Sequence, residues 1–319
     1  MVPVAGFADV LTMPFTEMSV EMTDGDFLLR ESFSAVSPFT TEKSPAFDWE
    51  LNSVSCHGTF FTVTQARPLG RDGQFLYAVK RLKPKWQYSS VGRVILNREA
   101  ELGQLISHPH VVPTLDENTD CDEPYIVQPW LQGKTLQESL SLGRTAKPSE
   151  VIWIARQIAE ALAELEKHGY CHCDVKPGNM IVSPNGHATL IDLGLARRME
   201  EPLLPIDRAV VGTPKYMAPE LTDRSFPGDI RADLYSLGLV MLEMLFGQAI
   251  LPANSMSQLY ANQWQNHWGS LASQTNRHWQ SLADLESLLR SMTDPDVTKR
   301  PDSAGMITRQ LVSMELAAM

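Results

Sequence analysis

The sequence predicts an α+β chain in two lobes, a small strand-rich one followed by a larger helical one, and three observations lead there. Between Phe47 and Leu131 the segments T-F-F-T-V-T and F-L-Y-A-V-K are rich in β-branched and aromatic residues, and R-P-L-G-R-D-G between them is a turn signal. After Gly133 apolar residues recur instead at helical spacing. A chain of 319 residues, 43% hydrophobic and 20% charged, is long enough to bury a large core and to divide into two parts. The expected division is a poorly ordered tail over residues 1–45, a small lobe over 46–131 and a large lobe over 132–316.

Residues 1–45 scatter Met, Thr, Ser, Phe and Pro without a sustained period of 2 or 3.6, so no packed element is expected there. Beyond the two strands, a helix is expected near Leu96 to Ile106 and a strand at Tyr125 to Val127. Ser149, after Pro148, is expected to cap a helix in which Val151, Ile152, Ala155, Ile158, Ala159, Leu162 and Leu165 share one face until Gly169 ends it. Further helices are expected at Asp233 to Phe246, Leu282 to Met292 and from about Ser303. Leu237 to Leu251, the longest apolar segment, is interrupted by Glu243 and Gln248 and falls short of a bilayer span, so it reads as a buried core helix. No internal repeat is evident.

A net charge of -11 and a pI near 5.2 exclude nucleic acid or anionic lipid as a partner held by general electrostatics. Any phosphate must meet local positive charge. Cys56, Cys121, Cys171 and Cys173 form no disulfide framework, and Cys171 and Cys173 are too close in sequence to bridge without strain. Reduced thiols in a cytoplasm are expected, since the first residues lack the positive start and apolar run of a secretory signal.

The chemistry concentrates in H-C-D-V-K-P-G-N-M-I-V, followed by I-D-L-G-L-A, with Asp192 13 residues after Asn179. With Y-A-V-K closing a strand upstream and G-T-P-K-Y-M-A-P-E downstream, all in order, the sequence resembles the protein kinase family over roughly residues 47–316. The resemblance implies a two-lobed protein-kinase-like α+β fold and transfer of the γ-phosphoryl group of Mg-ATP to Ser or Thr hydroxyls of a protein substrate. Such transfer needs cations on the phosphate oxygens, oxygen ligands to hold the cations and a carboxylate to orient the attacking hydroxyl. Asp174 supplies that carboxylate, Lys176 can neutralise the γ-phosphate, and Asp192 with Asn179 would hold Mg2+. By resemblance Lys80 holds the α and β phosphates, and Glu99, 19 residues later, fixes it, although Glu101 is a rival in sequence.

Other positions follow from the same resemblance. Tyr125 to Leu131 looks like the strand and hinge that receive adenine, with Gln128 at the gatekeeper position and backbone near Leu131 bonding the base. Val63, Ala78 and Ile181 would sandwich the adenine ring. Glu220 would pair with Arg300, Asp233 would hold the backbone of the catalytic loop, and Thr213 would bond Asp174 and Lys176. Several residues depart from the family pattern. Gly58 keeps the middle position of the glycine-rich loop, but Cys56 and Phe61 stand where its outer glycines would be, which limits how closely backbone approaches phosphate. D-L-G replaces D-F-G, Gly103 omits an apolar contact behind the Glu99 helix, and Cys173 stands where many members carry an arginine.

Three features take the plainer reading. The acidic run 116–123 lacks the glycine and closing glutamate of a Ca2+ loop and reads as a solvated hairpin turn. Cys171 and Cys173 flank His172 without a second ligand cluster and read as core thiols. Trp264, Trp268 and Trp279 read as core aromatics rather than a docking surface. Two rival functions remain from the sequence. One is a pseudokinase scaffold, favoured by the altered glycine loop. The other is a small-molecule kinase, disfavoured by the intact G-T-P-K-Y-M-A-P-E platform. A regulatory partner acting on the Glu99 helix is a further expectation.

Overall fold

The computed structural model describes residues 19–23, 26–30, 48–199, 201–202, 214–222, 228–247 and 283–317. Its first elements fall in the segment read as tail. Ser19–Thr23 (β1) and Asp26–Arg30 (β2) pair antiparallel, with Thr23 opposite Asp26. The expectation of no element there passed over the Asp-Gly dipeptide, which favours the tight turn of a two-residue hairpin. Among the described residues the two strands pair only with each other.

The small lobe is a five-stranded antiparallel sheet with one helix. Trp49–His57 (β3), Phe61–Pro68 (β4) and Tyr77–Leu82 (β5) precede the helix Ser90–Leu105 (α1), and Asp116–Asn118 (β6) and Tyr125–Pro129 (β7) follow it. The order across the sheet is β3-β4-β5-β7-β6. The acidic run thus enters a hairpin, as expected. Register decides the use of each face. Val63 lies opposite Lys80 and Ala78 opposite Gln128, so these four residues share one face with Phe61, Leu82 and Ile126. That face packs on Ile95, Leu96 and Ala100 of α1, while Ala66, Val79, Tyr125 and Val127 pack on the other.

Helix α1 begins six residues before the expected Leu96, capped by the Ser89 side chain, which accepts from the Gly92 amide. Gly92 reads locally as a breaker, yet it sits tightly between the Leu82 side chain and the Trp86 carbonyl, where tertiary packing outweighs its propensity. Gly103 does not loosen the helix. A Cβ there would come within 2.7 Å of the Thr114 amide nitrogen, and that amide donates to the Gly103 carbonyl at 2.9 Å. The missing side chain lets backbone approach backbone.

The large lobe is built on Pro148–Lys167 (α3), reached through Lys134–Thr135 (β8) and Leu136–Ser141 (α2). Pro148 is itself the first helical residue and Lys147 precedes it, so Ser149 lies inside α3 and caps nothing. Proline suits that position because the first amide of a helix has no intrahelical partner. The short strands Tyr170–Cys171 (β9), Met180–Val182 (β10), Ala188–Leu190 (β11) and Arg197–Arg198 (β12) carry the loops of the site. Ile230–Phe246 (α4) starts three residues before the expected Asp233 because Asp229 caps it, its carboxylate accepting from the Arg231 amide at 2.9 Å. Ala283–Met292 (α5) and Ala304–Ala317 (α6) complete the described chain. One continuous core joins α3, α4, α5 and α6. No helix among the described residues is long and apolar enough to cross a membrane.

Candidate active site

Lys80 comes from the site face of β5 and is 5% exposed, so its ammonium needs partners. It finds two: Glu99 Oε2 at 2.6 Å and Asp192 Oδ1 at 2.9 Å. Glu99, on the buried side of α1, is wholly inaccessible. Glu101, the sequence rival, is exposed. Burial pushes the Glu99 carboxyl up to about 7 even though Lys80 pulls it down. For Lys80, burial alone would lower the pKa, but the carboxylates of Asp192 and Glu99 reverse this and hold the ammonium above its ordinary range. Burial would likewise raise Asp192; the Lys80 ammonium overrides it and brings the carboxyl down to about 2.

Asp192 adopts a left-handed backbone (φ 66°), one of two non-glycine residues to do so among those described. The glycine two residues later explains how the segment fits. A Cβ on Gly194 would run into the Ile95 side chain and lie 3.1 Å from the Ile95 carbonyl oxygen, so only glycine lets this turn lie against α1.

The catalytic-loop residues hang from α4 and β11. The buried Asp233 carboxylate accepts from the His172 amide at 2.6 Å and the Cys173 amide at 2.8 Å, as the resemblance implied. Burial raises the Asp233 carboxyl; the two amides and His172 work against that. The Asp174 amide donates to His172 Nδ1 at 3.2 Å, so Nε2 carries the imidazole proton and donates to the Ile191 carbonyl at 3.2 Å. Through that ring the loop bearing Asp174 is tied to the residue before Asp192. Asp174 Oδ2 receives Lys176 Nζ at 2.7 Å and Asn179 Nδ2 at 2.9 Å. The Asn179 nitrogen also donates to the Asp174 carbonyl, so its side-chain oxygen is the atom left for a metal.

Val63 and Ala78 lie on the site face of the small-lobe sheet, while Leu131 and Ile181 line a cavity of about 240 Å³ together with Gln132, Ser183, Asn185, His187 and Thr189. Gly58 forms the β3–β4 turn, its amide donating to the Phe61 carbonyl at 3.0 Å. Phe61 is buried in the small lobe, with Lys80 Nζ 4.5 Å from its ring centroid. Glu220 and Arg300 form a two-pronged pair at 2.7 and 2.8 Å. Thr213, Trp264, Trp268 and Trp279 lie outside the described residues.

Sequence reasoning missed two contacts. Gln128 Nε2 donates to Glu99 Oε1 at 3.1 Å, which the strand register hints at by setting Gln128 on the Lys80 face. Cys173 lies with Sγ 3.2 Å from Cys171 Sγ and accepts from Arg197 Nε at 3.1 Å. The Cys173 thiol, hydrogen-bonded to Cys171 Sγ and buried, is pushed well above its ordinary range, so it stays protonated. Both cysteines are free, and among the described residues no group of three or more His, Cys, Asp or Glu is placed to hold a metal ion by itself.

A model of the protein kinase domain matches residues 56–312. The serine/threonine-protein kinase PknD of Mycobacterium tuberculosis is 34% identical over 187 residues, 58% of this chain and 28% of that protein. PknB of Mycolicibacterium smegmatis is 31% identical over 217 residues, 66% of this chain and 34% of its own, and PrkC of Bacillus subtilis is 30% identical over 151 residues, 47% and 23%. The chain therefore spans about a third or less of the length of these relatives. The order of its motifs, the convergence of Lys80, Glu99 and Asp192, and the family match over most of its length agree: the chain belongs to the protein kinase family, in company with bacterial serine/threonine kinases.

Proposed function

We propose that the chain is a serine/threonine protein kinase that transfers the γ-phosphoryl group of Mg-ATP to Ser or Thr hydroxyls of proteins. The observation that carries this reading is the buried Lys80 ammonium held by Glu99 and Asp192 at 2.6 and 2.9 Å. In this reading Val63 and Ala78 of the small lobe and Leu131 and Ile181 beyond it contact the adenine ring. Lys80 exchanges part of its contact with Asp192 for phosphate oxygens, while Glu99 keeps it aligned.

The donor set fits Mg2+, which prefers one or two carboxylate or amide oxygens and completes its shell with phosphate and water. Asp192, with Oδ1 on Lys80 and its side chain 36% exposed, and Asn179, with its nitrogen bonded to Asp174, supply such oxygens. Mg2+ held there would neutralise charge on the transferring phosphoryl group. Asp174 orients the substrate hydroxyl and accepts its hydrogen bond, and Lys176 stands 2.7 Å from Asp174, ready to meet the γ-phosphate. Lys176 two residues after Asp174, with Thr213 before A-P-E, supports Ser or Thr acceptors over Tyr.

A scaffold reading draws on one observation, the Phe61 ring beside Lys80 where a glycine would leave room for phosphate. The complete charged set weighs against it. Incubation with γ-labelled ATP and a generic protein acceptor, followed by phosphoamino-acid analysis, separates the readings. Phosphoserine and phosphothreonine are expected. Nucleotide binding without transfer would establish the scaffold, and phosphotyrosine as the main product would overturn the acceptor class.

A further inference from the structure

A wholly buried carboxylate needs a donor on each oxygen, because water cannot reach it. Glu99 has them from two different strands: Lys80 of β5 on Oε2 at 2.6 Å, and Gln128 of β7 on Oε1 at 3.1 Å. Gln128 is itself 7% exposed and stands opposite Ala78 in the β5–β7 ladder. We propose that Gln128 is a positioning residue for the phosphotransfer proposed above: its side-chain amide fixes the Glu99 carboxylate and so holds α1 where Glu99 meets Lys80.

The argument is geometric. The terminal torsion of a glutamate is broad and roughly two-fold, so a single contact to Lys80 leaves the carboxylate free to swing and the helix free to follow. A second donor on a neighbouring strand turns one point of attachment into two. Elsewhere α1 is tied from behind, by the Thr114 amide on the Gly103 carbonyl at 2.9 Å and by Thr114 Oγ1 on the Glu99 carbonyl at 3.4 Å. Gln128 supplies the tie on the cleft side. One of the two amide hydrogens of Gln128 is thus committed to Glu99. The role usually expected at this position, shaping the adenine slot, is then secondary to holding the helix.

The test uses the full chain as Gln128→Leu, as Glu99→Leu and as the double variant, read by hydrogen exchange of the α1 amides with α3 as internal reference, and by kinetics. Gln128→Leu should speed α1 exchange about tenfold, leave α3 unchanged, and lower kcat about tenfold with KM for a peptide acceptor within about twofold. In the Glu99→Leu background the same change should add less than about twofold to α1 exchange, since the acceptor is already gone. Wild-type α1 exchange in Gln128→Leu, or two substitutions whose effects add independently, would overturn the proposal. Should Gln128→Leu fail to melt cooperatively, Gln128→Met carries the same expectations. A wild-type chain without phosphotransfer would defeat the proposed function, while α1 exchange would still decide the role of Gln128.

Discussion

The two walls of the cleft hold their charges by different means. On the small-lobe side Lys80 and Glu99 are 5% and 0% exposed, and each offsets the buried charge of the other, with Asp192 and Gln128 as second partners. On the large-lobe side Asp174 sits in a loop whose shape is set by backbone amides on Asp233 and by the His172 ring, contacts that survive whatever happens at Asp174 itself. The first wall is a balance of buried ions, where removing one member leaves the other uncompensated. The second is a preorganised loop, where function and scaffold belong to different residues. Substitutions in the two walls should therefore fail differently.

The largest effect is expected at Asp192, which pairs with Lys80 and is the carboxylate proposed to hold Mg2+. Asp192→Asn should lower phosphotransfer at least about a thousandfold while the chain still melts cooperatively, because one proposed metal carboxylate is lost and the backbone is not. A rate within tenfold of wild type would remove Asp192 from the site. Next comes Asp233→Asn, which sets an amide nitrogen against one of two backbone N–H groups. About 2–3 kcal/mol of stability should be lost, with kcat falling about a hundredfold, as measured by denaturant melts and steady-state rates. Unchanged stability would mean that the loop is held by something else.

A pH profile sharpens the comparison, because it acts on the small-lobe wall. Glu99 has its carboxyl raised to about 7, so it takes up a proton as pH falls through that value and its attraction for Lys80 is lost. Activity should drop on the acid side of about pH 7. The stability term has the opposite sense. A carboxyl whose folded pKa lies above its unfolded value binds protons more tightly when folded, so this group favours the fold at low pH and loses that contribution as pH rises through about 7. Rates should fall between about pH 7.5 and 6 with no matching loss of melting temperature from Glu99. A flat rate across that range would show that Glu99 stays ionised.

The smallest effect is expected from phosphate removal. Cys173 offers a protonated thiol where an arginine would meet a loop phosphate, and Arg197 is already bonded to it. Between Asp192 and Gly212 the sequence contains no Ser, Thr or Tyr. Broad phosphatase treatment, checked by mass spectrometry, should change initial rates less than about tenfold, roughly 1.4 kcal/mol. A larger loss would reveal a controlling phosphorylation elsewhere.

The charged residues of both walls were legible because each motif has a fixed spacing along one element or loop. Lys80 follows the apolar run Tyr77-Ala78-Val79, although the strand continues to Leu82 rather than ending at the lysine, and Asp174, Lys176 and Asn179 share one short loop. What escaped lies between elements. The Gln128 contact to Glu99 depends on strand register together with the depth of α1, neither of which periodicity gives. Gly103 reads as a weakness in sequence and proves to be a point of close approach, because its meaning depends on Thr114, a residue of another segment. The β1–β2 pair is the reverse case, since Asp24-Gly25 is a local sequence signal and no longer period marks the two strands.

The central claim is that the buried Lys80 ammonium is the cation of phosphotransfer. Single-turnover transfer from γ-labelled ATP by Lys80→Met, beside the wild type and with nucleotide affinity measured in parallel, tests it most directly. The variant should fold, since methionine fills the same apolar stem space and the Glu99 carboxyl, already raised by burial, takes up a proton in place of the lost ion pair, and it should transfer phosphate at least about a thousandfold more slowly. Transfer at the wild-type rate by a folded Lys80→Met chain would contradict it.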